Sequence, residues 1–264
     1  MKDFLFLQIA SLPYFRALVR AVECGFYQQI EQSEPLRAPV YDVGCGDGHF
    51  ATLAFDRPLD VGLDPWGPPI HEAARRGGYR LLVQADGAHT PFPDNYFASA
   101  LSNSVLEHIP QIDAVLAETA RVLRPGAPFV FCVPNPRYFS ALAISGGLRS
   151  VGLGRLADAY QEWFRRISRV EHADDPDIWQ ARLERAGFHL EKWWHYFSPA
   201  AMRALEWGHY FGLPSLISKK LTGRWILSPT RWNLALTERI TRPHAAAQPH
   251  PEGTFTFYIA RVEK

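Results

Sequence analysis

A glycine-rich stretch near the start of the chain constrains its fold more than any other feature. Val40–Val43 is a short apolar run that contains an acid, Asp42, and it leads directly into glycines at positions 44, 46 and 48. Glycines let a backbone turn tightly and approach a ligand without an intervening side chain. A helix start is predicted after the turn, and its unpaired N–H groups favour an electron-rich ligand. The stretch therefore predicts a strand–turn–helix unit that binds a nucleotide-like cofactor.

The spacing of the glycines distinguishes between two kinds of cofactor. The dinucleotide fingerprint is G-x-G-x-x-G, and its third glycine would fall at position 49, which is His49. Asp42 precedes the first glycine by two residues, and a carboxylate there would repel a pyrophosphate but attract an ammonium group. S-adenosylmethionine (SAM) carries an ammonium group and no phosphate, so the pattern favours SAM over a dinucleotide.

The glycine turn and five later segments resemble, in order, the motifs of the class I SAM-dependent methyltransferases, in particular the type 11-like members. The five segments are Val61–Asp64, Ala85–Ala88, Phe92–Ala98, Asn103–Ile109 and Arg121–Ala127. One departure is Ala98, which stands where the family usually has an Asp. Six ordered segments make a specific resemblance, whereas one glycine turn would be weak. The plain alternative is a βαβ protein without a cofactor.

The resemblance implies a doubly wound α/β fold with a seven-stranded, mostly parallel sheet, an antiparallel last strand and helical insertions that form a lid. Short apolar runs alternate with helical patterns in the first half of the chain, as a parallel sheet with crossover helices requires. These runs are Val40–Val43, Leu59–Leu63, Arg80–Gln84, Phe97–Leu101 and Pro128–Val133. Ligands bind such sheets at the carboxyl ends of the strands.

The rest of the chain is predicted to add helices and two strands. Phe188–Phe197 and Thr254–Val262 alternate as the sixth and seventh strands, and Ser198 caps a helix that begins at Pro199. The predicted division is an N-terminal helical cap at 1–36, a cofactor-binding core at 37–135, and a remainder at 136–264 with lid insertions at 136–175 and 199–252. The N-terminal helix either packs on the sheet or also closes over the cofactor.

By resemblance, seven residues are expected to contact the cofactor. They are Asp42 for the methionyl ammonium, Gly44 and Gly46 for close backbone approach, Asp64 for the ribose, Asp86 and Gly87 for the adenine, and Asn103 for the methionyl end. The alternative for each acid is an ordinary cap or turn residue, and Asp64 before Pro65 is the clearest such case.

Two histidines are the candidates for a catalytic base. His108 follows the predicted fourth strand, and His172 precedes the helix that leads into the sixth. A histidine suits activation of a hydroxyl because its pKa lies near neutrality, although in many relatives the histidine at the 108 position is structural. No Cys, His, Asp or Glu residues have metal-ligand spacing, so no metal is expected.

These observations predict a SAM-dependent methyltransferase that acts on a small, apolar or aromatic molecule, with oxygen favoured as the acceptor atom. Seven of the eight tryptophans lie beyond residue 160, which suggests an aromatic-lined region. One alternative is a SAM-binding protein without transfer activity, and a second is a nicotinamide oxidoreductase. A third follows from Leu216–Leu227, which mixes basic and apolar residues. It is either a solvated basic face or an interfacial segment, and the latter would point to a lipid or glycolipid acceptor at a membrane surface.

The composition limits which binding partners and which cellular compartment are expected for the protein. The formal net charge of +1 offers no electrostatic case for nucleic acid. Three cysteines are an odd number without metal spacing, which favours reduced thiols in the cytoplasm. The apolar run at the N-terminus is too short for a signal peptide, and no run is long enough to cross a bilayer. The sequence does not predict the oligomeric state.

Overall fold

A single seven-stranded sheet organises the computed structural model, which describes residues 2–263 apart from the side chain of residue 213. The strands are β1 (Val40–Val43), β2 (Leu59–Asp64), β3 (Tyr79–Gln84), β4 (Ser99–Asn103), β5 (Pro128–Pro134), β6 (Phe188–Tyr196) and β7 (Phe255–Val262). Their order is β3-β2-β1-β4-β5-β7-β6. The first five strands pair in parallel, and β7 runs antiparallel to β5. The predicted fold class is confirmed.

Helices fill the connections and the predicted insertions. They are α1 (Phe4–Ile9), α2 (Tyr14–Ser33), α3 (His49–Ala54), α4 (Gly67–Arg76), α5 (Ile112–Val122), α6 (Arg137–Ser140), α7 (Ala143–Ser150), α8 (Gly154–Ser168), α9 (Pro176–Arg185), α10 (Pro199–Phe211), α11 (Leu213–Thr222) and α12 (Arg231–Thr241), with 3-10 turns at Leu106–His108 and Arg242–His244. Ser198 caps α10 as predicted, because its hydroxyl accepts the N–H of Ala201 at 3.2 Å.

One face of the sheet carries the main hydrophobic core. Alternate residues of β1, β2, β4 and β5 project from this face, and they pack against apolar side chains of α5 and α9. Trp179 of α9 is fully buried beside Phe131 of β5, with the ring centroids 5.2 Å apart. Burial of this face fixes the strand register, because a slip of one residue would turn the apolar set outwards.

The fourth strand differs from the sequence prediction. Phe97–Leu101 is the predicted run, whereas β4 spans Ser99–Asn103. The N–H of Phe97 donates to the carbonyl of Val122 at the end of α5, and its carbonyl accepts from Arg124. Because its backbone is used in this way, Phe97 forms only an isolated bridge, and the strand begins two residues later. The shift brings Asn103 into the strand as its last residue.

The chain divides into two compact units. The helical unit comprises Met1–Phe26, Arg137–Ser168 and His195–Thr254. The sheet unit comprises Tyr27–Pro136, Arg169–Trp194 and Phe255–Lys264, and it holds every candidate cofactor and catalytic residue named above.

Candidate functional site

The turn after β1 depends on the conformation of its glycines. Gly44 has a φ of 83°, and a Cβ there would lie 2.3 Å from Cγ1 of Val105. The N–H groups of Gly44 and Cys45 both donate to the carbonyl of Leu63 at 2.8 Å, so the turn is fastened to β2. Gly46 has a φ of 54°, and no heavy atom lies within 4 Å of its absent Cβ. Gly44 is thus required by packing, whereas Gly46 borders open space that a ligand can occupy.

The strand register places three of the predicted polar residues on one face of the sheet. Asp42 pairs with Gly62 of β2 and with Leu101 of β4. Side chains on a strand alternate between faces, so Asp64 and Asn103, each two residues further on, project on the same side as Asp42. The two strand-end residues lie about 7 Å nearer the carboxyl edge than Asp42 at 3.3 Å per residue. This face is opposite the main core.

Asp42 is buried and held by a tyrosine that the sequence analysis did not single out. The residue as a whole is 3% exposed. The hydroxyl of Tyr79, at the start of β3, donates to Oδ2 of Asp42 at 2.6 Å. Burial, together with the neighbouring Asp42 charge, raises the pKa of Tyr79 well above 10. The phenol is therefore a constant donor that orients one carboxylate oxygen. No local pattern indicates the pair, because the two residues are 37 positions apart.

Asp64 joins the end of β2 to the glycine turn. Its Oδ2 accepts the N–H of Gly46 at 3.0 Å, and its Oδ1 accepts the N–H of Trp66 at 2.9 Å. Burial raises the pKa of Asp64, and the two backbone hydrogen bonds oppose that effect. Each carboxylate oxygen can accept more than one hydrogen bond. Asp64 is thus a turn residue, as its position before Pro65 suggested. Its carboxylate oxygens can still accept hydrogen bonds from hydroxyl groups.

The remaining cofactor candidates lie at the same edge of the sheet. Asp86 follows β3, is exposed, and accepts the N–H of Ala88 at 2.9 Å through Oδ1. Gly87 is partly buried, and a Cβ there would lie 3.3 Å from Val115. Asn103 is buried, and its Oδ1 accepts the thiol of Cys132 at 3.2 Å. The cofactor roles of these residues stay predictions.

The two candidate catalytic histidines both tie the loop after β4 to the segment before α9. Nδ1 of His108 lies 2.7 Å from the carbonyl oxygen of Arg169, which requires that nitrogen to carry a proton. Nε2 of His172 lies 3.1 Å from the carbonyl oxygen of Ile109, while its Nδ1 lies 3.3 Å from Nη1 of Arg182. Both ring nitrogens of His172 therefore have protein partners.

His108 differs from His172 in its second nitrogen. The side chain of His108 is 43% exposed, and among the described residues the partner of Nε2 is the carboxylate of Glu107, at 3.7 Å. With Nδ1 protonated, a neutral His108 would carry its lone pair on Nε2. Of the two residues, His108 thus has the geometry that a general base needs, and its catalytic role stays a prediction.

An ion-pair network that the sequence analysis did not foresee borders the same edge. Nε and Nη2 of Arg121 donate to the two carboxylate oxygens of Glu118, both at 2.7 Å. Arg121 also donates to the carbonyl of Phe92 and to the carboxylate of Asp94. Thr90 donates to Oε1 of Glu118 through its N–H at 2.8 Å and its hydroxyl at 2.6 Å. The network fixes the segment that links β3 to β4 onto α5.

Metal-ligand clusters and membrane-spanning helices are absent from the described part of the chain. Residues 2–263 contain no group of three or more His, Cys, Asp or Glu side chains arranged to hold a metal ion. None of the described helices combines the length and the hydropathy needed to cross a bilayer.

Part of the sheet unit is similar to a known protein family. Residues 41–131 match the profile of a methyltransferase domain, and the glycine turn and the strand-end residues Asp42 to Asn103 fall within that match. The match covers about a third of the chain, and over this segment the chain is similar to a methyltransferase domain.

Individual relatives match parts of the chain or its fold. A fatty-acid O-methyltransferase from Mycolicibacterium smegmatis is 38% identical over 104 residues, which is 38% of either chain. The chain spans about half the length of further mycobacterial relatives that it matches, uncharacterised methyltransferases.

Two solved structures cover most of the fold. A SAM-dependent methyltransferase from Thermotoga maritima has a TM-score of 0.54 at 15% identity and covers 94% of this chain and 92% of its own. The cyclase SpnF has a TM-score of 0.54 at 18% identity and covers 90% and 80%. Likeness at such identity shows the fold alone.

Proposed function

We propose that the protein is a SAM-dependent methyltransferase that transfers a methyl group to an oxygen atom of a small apolar molecule. The observation that carries the proposal is the open glycine turn at Gly46 beside Asp42 and Asp64, inside the segment that matches a methyltransferase domain. A turn that leaves room where a Cβ would lie fits a ligand whose atoms approach the backbone. Two buried acids beside it fit a ligand with an ammonium group and hydroxyl groups, and they disfavour a pyrophosphate.

The proposed cofactor contacts follow the positions of the side chains. Asp42, the deepest of the acids, receives the ammonium group, and Tyr79 holds its carboxylate in one orientation. Asp64 accepts the ribose hydroxyls with lone pairs that its two backbone hydrogen bonds leave available. Asp86 and Gly87 receive the adenine, and the backbone at Asn103 receives the methionyl end.

The residues of the chain supply alignment more than proton transfer. When bound, SAM provides a methyl group on a sulfonium, which transfers by in-line displacement with a neutral thioether leaving. Such a step depends mainly on holding the acceptor atom close and in line. A base is needed only when the acceptor must lose a proton. We assign that role to Nε2 of His108, because His172 has partners at both ring nitrogens.

A carboxylate is the acceptor class that suits this site best. Carboxylic acids are ionised at neutral pH, so they are nucleophilic without a base, and both histidines can then keep their structural contacts. The relative from Mycolicibacterium smegmatis, whose name gives fatty acids as substrate, supports the same atom and the same class. We therefore place free fatty acids first among the acceptors, and phenols second.

A methyl-transfer assay tests the proposal. The full chain is incubated with isotopically labelled SAM and a panel of fatty acids of graded length, phenols and amines, and the products are identified by mass spectrometry. The expected products are labelled methyl esters of the fatty acids, formed faster than labelled methyl ethers of the phenols. Transfer only to amines would contradict the assignment of oxygen.

A second candidate function is SAM binding without methyl transfer. The fold resembles that of SpnF, a protein named as a cyclase and not as a methyltransferase. Because one fold can host different functions, this second candidate is tested beside the first. It predicts tight binding of S-adenosylhomocysteine (SAH) together with no labelled product from any acceptor in the panel.

A further inference from the structure

The exposed apolar surface of the protein is concentrated in the helical unit. Among the described residues, fifteen of the twenty exposed large hydrophobic side chains belong to that unit. Nine of them lie between Trp207 and Ile240. Scattered exposed hydrophobic residues need no explanation, whereas a concentration of this kind marks an interaction surface.

Three successive helices in this region each expose a pair of apolar side chains four residues apart. The pairs are Trp207 and Phe211 on α10, Ile217 and Leu221 on α11, and Trp232 and Leu236 on α12. A four-residue spacing places both members on the same side of a helix. We call these six residues the apolar pairs. α10 contacts both α11 and α12, so the three helices are neighbours.

The third helix shows that this exposure is directional. Trp232 and Leu236 of α12 are 78% and 70% exposed, whereas Leu234 and Thr241 are 5% and 0% exposed. Leu234 lies two residues from each member of the pair, about 200° around the helix. The buried side of α12 packs within the helical unit. We therefore infer that its exposed apolar side binds a partner outside the unit.

The charges along residues 207–237, which carry the apolar pairs, have one sign. The flanking acids of α10 and α12 are Glu206, which is buried, and Glu238, which pairs with Arg242. Residues 207–237 contain four basic residues, Lys219, Lys220, Arg224 and Arg231, and no Asp or Glu, in a chain whose formal net charge is only +1. In the described part of the chain, Lys219, Lys220 and Arg224 form no ion pair with any carboxylate. Lys219 instead lies 6.0 Å from the centre of the Trp225 ring. A partner with negative charge would complement this region.

Charge and composition together select one partner. A second copy of the chain docked on this region by two-fold symmetry would bring two basic regions face to face, which is repulsive. An anionic bilayer offers apolar chains for the apolar pairs and negative headgroups for the lysines. Tryptophan, present in two of the three pairs, favours the boundary between water and lipid, and amphipathic helices with basic flanks bind such surfaces.

We propose that α10, α11 and α12 dock the protein on the surface of an anionic phospholipid bilayer. The apolar pairs enter the boundary between headgroups and acyl chains, while Lys219, Lys220 and Arg224 contact the headgroups. Binding to the bilayer needs neither SAM nor an acceptor, so the proposal stands apart from the proposed function. The two are linked only by consequence, since an enzyme held at this surface would meet acceptors dissolved in the membrane.

Vesicle flotation with the full chain tests the proposal. The probes are phosphatidylcholine vesicles with and without phosphatidylglycerol, at a salt concentration of about 0.15 M. The expected result is flotation with the anionic vesicles and about tenfold weaker binding to the neutral ones. Trp232→Ser combined with Leu236→Ser is expected to weaken binding to anionic vesicles by about tenfold.

Matched variants separate this surface from general effects. Lys219→Gln with Lys220→Gln is expected to remove the preference for anionic lipid, whereas Arg75→Gln with Arg124→Gln, on the sheet unit, keeps it. Leu81→Ser removes an exposed leucine of β3 and is expected to float like the wild type. Circular dichroism and thermal unfolding serve as the folding controls for every variant. SAH binding is measured separately, so that a failure of membrane docking and a failure of the proposed function are distinguished.

Three outcomes would overturn the proposal. They are no flotation with either vesicle, equal binding to neutral and anionic vesicles, or unchanged flotation of the Trp232→Ser, Leu236→Ser variant. Self-association in sedimentation that the same variant abolishes, in the absence of lipid binding, would assign the surface to a second copy of the chain.

Discussion

The hydroxyl of Tyr79 donates a hydrogen bond of 2.6 Å to Oδ2 of Asp42, which links β3 to β1 across the intervening β2. Because the carboxylate is buried, its orientation is set by this donor more firmly than a solvated carboxylate would be. If Asp42 binds the methionyl ammonium as proposed, this contact would hold its carboxylate in one fixed geometry for the cofactor.

Removing that hydroxyl is expected to weaken cofactor binding. Tyr79→Phe keeps the ring, which packs beside Gly62 and Gly48, and leaves Asp42 without this donor. We expect SAH affinity to fall about tenfold and the free energy of unfolding to fall by about 1–2 kcal/mol. Isothermal titration calorimetry and chemical denaturation measure the two effects. Tyr96→Phe, at an exposed tyrosine, serves as the control, and equal affinities in all three proteins would remove Tyr79 from the site.

Gly46 allows a test in which backbone strain is held constant. Gly46 and Gly77 both have positive φ angles, 54° and 70°, and neither has a neighbour within 4 Å of its absent Cβ. Replacement by Ala should therefore cost each site a similar free energy of unfolding, about 1 kcal/mol. Gly46→Ala is expected to reduce SAH affinity by tenfold or more, since the added methyl group then occupies the space through which the ligand approaches the backbone. Gly77→Ala, at the end of α4, should bind normally, and a similar loss in both variants would count against a ligand at Gly46.

His108 is expected to matter for some acceptors and not for others. In His108→Asn the amide can still donate to the carbonyl of Arg169, while the Nε2 lone pair is lost. We expect kcat to fall about 100-fold with a phenol, which must lose a proton, and to stay unchanged with a fatty acid. Steady-state kinetics on both acceptors measure the difference. A loss of equal size on both would identify His108 as a positioning residue.

The Glu118 network predicts a pH dependence of stability. Its hydrogen bonds to Arg121, and then to Thr90, lower the pKa of Glu118 from 4.5 to about 2. A carboxyl group with a lowered pKa in the folded state stabilises the fold above its unfolded pKa of 4.5 and loses that contribution as the pH falls towards 2. Arg121 is partly exposed, so the contribution is on the order of 1 kcal/mol.

Denaturant titrations of the wild type and Glu118→Gln, at about pH 6 and about pH 3, measure this contribution. The difference in unfolding free energy between the two proteins should be larger at the higher pH. Glu72→Gln, at an exposed acid of α4 that pairs with Arg76, is the comparison. A difference that does not change with pH would show that the network leaves the pKa of Glu118 unperturbed.

Features that depend on residues close together in the sequence could be predicted. Val40–Val43 and the turn after it were predicted without error, because apolar residues, an acid and three glycines fix the strand and its end. Ser198 followed by Pro199 predicted the start of α10, because a hydroxyl and a proline each favour one cap position. Each of these rests on interactions between residues a few positions apart.

Features that depend on distant partners could not be predicted. Phe97 is as apolar as a strand residue, and only the end of α5 shows why it lies outside β4. The partner of His108 is Arg169, 61 positions away, and such a contact cannot be predicted from the spacing of residues in the sequence. The same holds for Tyr79 and Asp42. Polar contacts between distant elements therefore set the geometry of the candidate site. The sequence predicts only the edge of the sheet at which the site residues lie.

The central claim is that a SAM-type nucleoside lies at the carboxyl edge of the sheet and is held by Asp64. Asp64→Ala removes that acid and its hydrogen bonds to Gly46 and Trp66. Asp60→Ala, on the same strand, removes an acid that accepts the N–H of Val40, and it controls for lost stability.

Calorimetric titration of SAH into the wild type and these two folded variants is the most direct measurement. The account predicts one site in the wild type and in Asp60→Ala, with affinity at least about tenfold weaker in Asp64→Ala, as expected for lost charge-assisted hydrogen bonds. Unchanged affinity in folded Asp64→Ala, or no binding to the folded wild type, would contradict it.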